Sequence, residues 1–538
     1  MVRRFEEAGA LSPDSARPLE QIGISSGRIL HGLRDRLVIR HVEGDLFYID
    51  EEVWAALGKR RRRHASAAAI AALALILGIL LFTKTAHASQ DPRVWPEVDQ
   101  VFAAWNTPAT PGCALGVFRD GRIAYERGYG AADLEHNVPI GPETMFYVGS
   151  LSKQFTGMAA ALAISKGKLS VDDPVRQWLP ELPAYADPIT VRHLLHHTSG
   201  LRDYNTLLSI AGRRGDEAYD NPTVLRITAK QKALNFVPGS EYLYSNTGYT
   251  LLATIVERAT RTLFAAFAEA EIFKPLGMTG THFHTDASRL VPGRAMGYQS
   301  TQNQPVRLDT PSNERAGAGG VFTSIRDLLK WDENFYSGKV GGKMLIDQLQ
   351  TSGTLTDGKV LNYGWGLQLG SYKGLRVVEH GGSLGGYRSH LLRFPAQHTT
   401  VAALCNVPNG PSGLVRRVAD VVLRELLTTP DAPAPGPPPA TETRPANSEE
   451  TAASAGLGVY AGTYRSDEIE SDFTIAVNDG ALTLQRESDT VPLRLQVQRA
   501  GSFRVAGFEI SFERMADRVT GLVVDAGRVR GIRFTRVE

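Results

Sequence analysis

An excess of charge of either sign is what this 538-residue chain lacks: 59 lysines and arginines stand against 57 aspartates and glutamates, a net charge of +2. A protein that grips nucleic acid needs a concentrated cationic surface, and the body of the chain carries no basic patch interleaved with aromatics. Nucleic acid is therefore not an expected partner. Cysteine is scarce too, with only Cys113 and Cys405. The stretch His193-Leu194-Leu195-His196-His197-Thr198-Ser199-Gly200 sets histidines at i and i+3, where they could share one ion. No carboxylate or cysteine at ligand spacing completes such a site, and Thr198-Ser199-Gly200 ends the element as a turn. No metal and no cofactor are expected. The 42% hydrophobic and 22% charged content are ordinary for globular protein, and the length exceeds one core, so two or more domains are expected.

The one dense basic run, Lys59-Arg60-Arg61-Arg62-Arg63, precedes an uncharged stretch rich in Ala, Ile and Leu from Ala65 to Phe82. That is just long enough to span a bilayer core, and the positive-inside bias would keep residues 1–58 cytoplasmic. Residues 65–83 are thus expected to form a transmembrane helix or signal anchor in the inner membrane, with the remainder on the periplasmic or extracellular side. The alternative is a signal peptide cleaved after Ala86-His87-Ala88. Within residues 1–58, Leu37–Val42 and Leu46–Ile49 read as two strands around Glu43-Gly44-Asp45, followed by a helix over Glu51–Leu57. No chemistry shows in that segment.

The chemistry gathers around Phe146-Tyr147-Val148-Gly149-Ser150-Leu151-Ser152-Lys153-Gln154-Phe155. Leu151, Phe155, Met158, Leu162 and Ala163 recur at helical spacing, and Gly167 is a C-terminal stop. Ser150 is placed at or near a helix N-terminus, with Lys153 at i+3 on the same face. A serine hydroxyl is a weak nucleophile until a base takes its proton and donors stabilise the oxyanion that follows. Alone, the four-residue pattern reads equally well as an N-cap serine and a solvated lysine. Two further stretches change that: Tyr244-Ser245-Asn246, whose last two residues would cap a helix begun by Thr247, and His380-Gly381-Gly382-Ser383 after the strand-like Leu375–Glu379.

These three stretches resemble the S-x-x-K, Y-x-N and K/H-x-G elements of the class C β-lactamase and penicillin-binding-protein group of serine hydrolases. The resemblance covers about residues 92 to 428 and extends to PGCALGVFRDGRIAYERGYG, LLHHTSGL, IFKPLGM, GVFTSIRDLLKW and YGWGLQLG. It implies an α/β (α+β) fold with an antiparallel sheet flanked by an all-helical region. It also implies Ser150, Lys153 and Tyr244 as catalytic residues. Tyr244, its phenolate favoured by the Lys153 charge, would take the Ser150 proton and later activate water; whether Lys153 or Tyr244 is the working base stays open. Asn246 would bond the substrate amide or position Lys153. The backbone N–H of Ser383 would join that of Ser150 as the oxyanion hole, with Gly382 allowing close approach to the strand edge. His380 stands where most true β-lactamases of this type have lysine. Being mostly neutral above about pH 7, it disfavours penicillins and leaves esters, amides and small peptides open. In such a fold the first and last strands of the main sheet are antiparallel neighbours, so Cys113 could face and bond Cys405. The histidine stretch from His193 would lie beneath the site, and Asp203 and Tyr204 would belong to a loop shaping substrate entry.

Past Leu427 the composition shifts. Residues 429–455, with DAPAPGPPP, read as an extended proline-rich linker. Residues 456–538 alternate in short runs, with Asn478-Asp479-Gly480 as a hairpin turn between Phe473–Val477 and Ala481–Leu484. Further runs at 493–497, 503–505, 509–512, 521–524 and 529–534 predict a small all-β barrel, similar to the lipocalin-like modules appended to some members of this hydrolase family. The expected function is an exported serine hydrolase cleaving an ester, amide or peptide through a Ser150 acyl-enzyme. The alternatives are a D-amino-acid peptidase or carboxypeptidase, a β-lactamase, and a non-catalytic sensor of penicillin or cell-wall fragments. The substrate would be a small molecule or peptide, and the oligomeric state is left open.

Overall fold

The computed structural model describes residues 1–25, 28–36, 38–59, 95–213, 219–299, 306–312, 314–407, 412–427, 454–499, 501–516 and 518–537. It divides into two compact units, Met1–Asp91 and Pro92–Glu538. In the first, Phe5, Leu30, Val38, Phe47 and Ile49 form a small core under an antiparallel sheet of Arg17–Pro18, Leu46–Ile49 and Ile39–His41. The two expected strands are present around Gly44, whose positive φ of 68° makes the turn, and residues 51–59 are helical. The strand Arg17–Pro18 is too short to leave a pattern in the sequence.

The membrane expectation is corrected. Among the described residues no helix is long and apolar enough to cross a membrane. The longest helix among the described residues, Asn246–Thr260, has 15 residues, about 22 Å of rise against a hydrocarbon core of about 30 Å. The stretch 65–83 and the proposed cleavage point near Ala88 lie outside the described residues. A single-pass placement with its catalytic side across an inner membrane is therefore not carried forward.

The second unit is built on six antiparallel strands: β1 (Cys113–Arg119), β2 (Arg122–Tyr129), β3 (Gln368–Tyr372), β4 (Leu375–Leu384), β5 (Tyr387–Phe394) and β6 (Thr399–Cys405). Their spatial order is β3-β4-β5-β6-β1-β2. The unbroken apolar run of β1 follows from burial on both faces, since side chains alternate across a strand. Ala114 and Phe118 join the core shared with the helices, whereas Cys113, Leu115 and Val117 join a second core that includes Val415 and Val418 on the opposite face. Asp120 and Gly121, both at positive φ, turn β1 into β2 as their identities predict. β6 lies antiparallel to β1 with Cys405 opposite Cys113. The two form a disulfide across a Cα separation of 4.0 Å.

On the helical side, α1 (Lys153–Ser165) is buried on nearly its whole circumference, which explains why it carries so many alanines. It ends before Gly167, at φ 64°, and packs against α3 (Asn246–Thr260). The shorter α2 (Tyr204–Ile210) lies between this layer and the C-terminal strands.

Those strands are β7 (Gly462–Ser466), β8 (Ser471–Asn478), β9 (Ala481–Gln485), β10 (Leu493–Arg494), β11 (Gln496–Arg499), β12 (Ser502–Val505), β13 (Phe508–Met515), β14 (Arg518–Ala526) and β15 (Val529–Arg536). They make one antiparallel sheet in the order β10-β9-β8-β7-β15-β14-β13-β12-β11. The two edge strands are consecutive in sequence, so the sheet curls into a nearly closed nine-stranded barrel. The predicted run 493–497 is split at Leu495, which turns inward and is buried. Leu207 and Ile210 of α2 belong to the barrel's own core. The stretch read as linker lies largely outside the described residues.

Barrel and helical layer are also joined by buried charge. Arg202 Nη1 reaches Glu468 Oε2 at 2.6 Å, both side chains nearly inaccessible. Arg202 Nε and Nη2 donate to the carbonyls of Arg530 and Gly531 at 3.0 Å each. A buried guanidinium is tolerable only when paired and hydrogen-bonded, and this one is both.

Candidate active site

Ser150 sits in a tight 3-10 turn, Gly149–Ser152, that feeds directly into α1. Lys153 opens the helix and is completely buried. Its Nζ lies 3.1 Å from Ser150 Oγ, 2.9 Å from Asn246 Oδ1 and 2.7 Å from the Ala318 carbonyl. Burial pulls its pKa well below the usual lysine value; Asp203 opposes that shift and Arg528 adds to it. Desolvation penalises the charged form, so its surroundings favour the amine over the ammonium at the side chain that faces the serine.

Tyr244 precedes the N-cap Ser245 of α3, and Asn246 is the first residue of that helix. The Lys153 Nζ stands 4.8 Å from the centre of the Tyr244 ring. Burial pushes the Tyr244 phenol up; proximity to Ser150 opposes this, as does Arg528. The phenolate expected beside a charged lysine is opposed by these surroundings, because enclosing the ring penalises its charged form. The Tyr244 hydroxyl senses Ser150 yet makes no hydrogen bond of good geometry among the described residues.

The third stretch arrives on the end of β4. Gly382 and Ser383 lie against the Ser150 turn so closely that a Cβ on Gly382 would stand 1.9 Å from the Val148 carbonyl and 2.9 Å from the Ser150 nitrogen. A Cβ on Gly149, at φ 53°, would stand 2.6 Å from the Ser383 nitrogen. Two glycines thus let the Ser150 turn and the strand edge approach closely, with the Ser150 and Ser383 nitrogens both at the contact. His380, 2% exposed, bonds Tyr363 Oη through Nε2 at 3.1 Å. Burial, with Lys153 acting in the same direction, draws its pKa down to about 3. It is a neutral wall residue.

Further residues complete the surroundings of Ser150. Asp203 is fully buried. Its Oδ2 accepts from the Asn246 N at 2.7 Å and Nδ2 at 2.9 Å, which orients Asn246 Oδ1 toward Lys153. Expected in a loop shaping substrate entry, Asp203 also caps α2, where its Oδ1 accepts from Thr206 N at 3.2 Å. The Ala318 carbonyl comes from a glycine-rich loop without motif. His197 lies under Tyr244, ring centres 4.3 Å apart, and accepts from Ser245 N at 3.1 Å. His196 accepts from Trp365 Nε1 at 3.2 Å. Both histidines are buried beneath the site, where burial lowers their pKa, for His196 to about 4. Above the site opens a cavity of about 1140 Å³, bordered by Ser150, Tyr244 and Gly382 on one side and by Phe508, Ala526 and Arg528 of the barrel on the other.

The Ser150 turn, the buried Lys153 and the glycine strand edge lie within one matched family region. The family described as Beta-lactamase matches residues 98–424, more than half of the protein. The chain belongs to the beta-lactamase family. This beta-lactamase-family chain is 30% identical over 297 residues to a D-aminopeptidase of Gluconobacter oxydans (strain 621H), covering 55% of itself and 56% of that protein. To Penicillin-binding protein 4* of Bacillus subtilis (strain 168) it is 32% identical over 302 residues, covering 53% of itself and 66% of that protein. A D-aminopeptidase of Brucella anthropi matches at 28% over 437 residues, 78% of this chain and 81% of its own. Among solved structures, the octameric penicillin-binding protein homologue from Pyrococcus abyssi superposes with a TM-score of 0.55 at 22% identity, over 82% of this chain and 98% of that one. The D-amino acid amidase from Ochrobactrum anthropi SV3 does so with 0.52 at 22% identity, over 61% and 98%. At such identities the structural likeness is one of fold.

Proposed function

We propose that the chain is a serine hydrolase that cleaves an amide, peptide or ester bond through an acyl-enzyme on Ser150. The observation that carries this reading is the 3.1 Å approach of a fully buried Lys153 Nζ to Ser150 Oγ. As Ser150 Oγ attacks the substrate carbonyl carbon, its proton passes to Lys153 Nζ and the carbonyl electrons move to oxygen, held by the N–H groups of Ser150 and Ser383. Collapse of this intermediate breaks the bond to the leaving group, which takes up the proton. Water then attacks the ester on Ser150 by the same route and frees the acid. Asn246 and the Ala318 carbonyl hold the amine in place. Tyr244, kept a neutral phenol by burial, is suited to pass the proton toward the leaving group rather than to act as the base.

Residues 92–428 form the hydrolase domain in this reading, and 456–538 a barrel domain that walls its pocket. The D-aminopeptidases among the relatives favour a D-configured amide or peptide; Penicillin-binding protein 4* keeps open a receptor that acylates without turnover. Matched D- and L-aminoacyl amides and esters, given to the purified full chain and to Ser150→Ala, test the assignment. Multiple turnovers by the parent and none by the variant are expected. A single stoichiometric burst without turnover on every substrate would favour the receptor, and equal turnover by the variant would refute both.

A further inference from the structure

The strand that borders the nucleophile brings no cation, because His380 is buried and neutral. Cationic charge enters the pocket from elsewhere. Its described lining includes Arg315, Arg388 and Arg528 against one carboxylate, Asp203, and that carboxylate is buried and committed to Asn246 and Thr206. The three arginines are not equivalent. Arg315 is buried, with its guanidinium packed over the rings of Tyr204 and Tyr219 at 5.3 and 5.7 Å. Arg388 donates to the carbonyls of Gly385 and Tyr387. Arg528 is exposed, lies in the turn between β14 and β15, and carries its guanidinium 4.7 Å from the centre of the Tyr244 ring. Among the described residues no carboxylate pairs with it.

Its backbone is held firmly although its side chain is open to the cavity. Asn235 Nδ2 and Asp203 N donate to the Arg528 carbonyl at 2.9 and 3.3 Å, and Arg530 N donates to Asn235 Oδ1 at 2.8 Å. Arg202, locked by Glu468, grips the carbonyls of Arg530 and Gly531. The turn is thus fastened to the residue that orients Asn246, and it carries a guanidinium over the Tyr244 ring at the wall of the same pocket.

We propose that Arg528 is the specificity-determining residue of the Ser150 pocket, binding a free carboxylate of the substrate, so that the chain favours acyl donors whose leaving portion ends in a carboxylate. This rests on the reading of Ser150 as the nucleophile. A guanidinium pairs with a carboxylate through two parallel hydrogen bonds, and its seat over the Tyr244 ring places that pair beside the scissile bond. A substrate with a free amine in the same position meets guanidinium groups and a carboxylate already occupied.

The test compares kcat/KM on the full chain for two substrates with one acyl group, the first with a leaving portion ending in a free carboxylate, the second with its carboxamide. The parent should prefer the carboxylate. Arg528→Gln should shrink that preference by about tenfold to hundredfold, the worth of a charged hydrogen bond, chiefly through KM, and Arg528→Lys should restore part of it. A parent without the preference, or an Arg528→Gln variant that keeps it or loses both substrates equally, overturns the proposal. A fluorophosphonate, which has no carboxylate, is applied to the same preparations. Labelling of Ser150 together with an unaltered preference removes the Arg528 role alone, whereas no labelling of the parent removes the nucleophile and this proposal with it.

Discussion

Replacing Lys153 separates a proton-accepting amine from a merely positive neighbour. The Lys153 amine is out of contact with water and has three oxygen partners within 3.1 Å, and its burial lowers the pH at which it gives up its proton. General-base participation is worth about 10² to 10⁴ in rate, so Lys153→Met should slow acylation of Ser150 by about that factor. The variant should still fold. Asn246 Oδ1 and the Ala318 carbonyl lose a donor at a cost of about 1–3 kcal/mol each, offset in part because an amine is no longer taken out of water. Lys153→Arg keeps the charge, but a guanidinium does not deprotonate in this range, so it should acylate as slowly as the methionine variant. In the parent, the rate should rise with pH as Lys153 loses its proton, with a midpoint well below 10.5, and that rise should vanish in Lys153→Met. Stopped-flow measurement of the acylation burst with a chromogenic ester reads all of this. Acylation by either variant within tenfold of the parent, or an unchanged pH profile in the methionine variant, would refute the assignment of Lys153 as base.

Gly382→Ala should cut acylation sharply while sparing most of the stability, because its Cβ would meet the Val148 carbonyl at 1.9 Å and force β4 away from the Ser150 turn; burst kinetics with denaturant unfolding checks this. Arg202→Ala leaves Glu468 buried without its partner and should destabilise the chain by about 3–5 kcal/mol, read by chemical denaturation, with Arg202→Met/Glu468→Leu closer to the parent. His380 gives a pH signature in stability. The folded chain keeps it neutral down to about 3, while an unfolded chain protonates it near 6.5. The unfolded state therefore binds more protons between those values, and stability falls as pH drops through that window. His380→Gln should flatten that part of the profile in thermal unfolding at pH 7 and pH 4.

Much of the site was legible because its residues sit on elements with strong local signatures. The periodicity after Ser150 marks α1, the glycines of His380-Gly381-Gly382-Ser383 mark a strand edge open to close approach, and Ser245 caps α3 as its identity suggests. The hairpins at Asp120-Gly121 and Asn478-Asp479-Gly480 were readable for the same reason: their backbones need positive φ. What was not legible depends on which elements meet. Asp203 reads only as part of a loop near the entrance, and only the packing of α2 on α3 brings its carboxylate to Asn246. Arg528 reads as one of many arginines in a barrel hairpin, and nothing near it in the chain says that the turn faces Ser150. The enclosure that lowers the Lys153 pKa and raises that of Tyr244 is likewise a product of packing and leaves no mark in the local sequence.

The most direct test of the central claim is the intact mass of the full chain after treatment with a fluorophosphonate, compared with that of Ser150→Ala. One adduct is expected on the parent, located at Ser150, and none on the variant. An unmodified parent in its folded state, or an adduct that persists in Ser150→Ala, would contradict that claim.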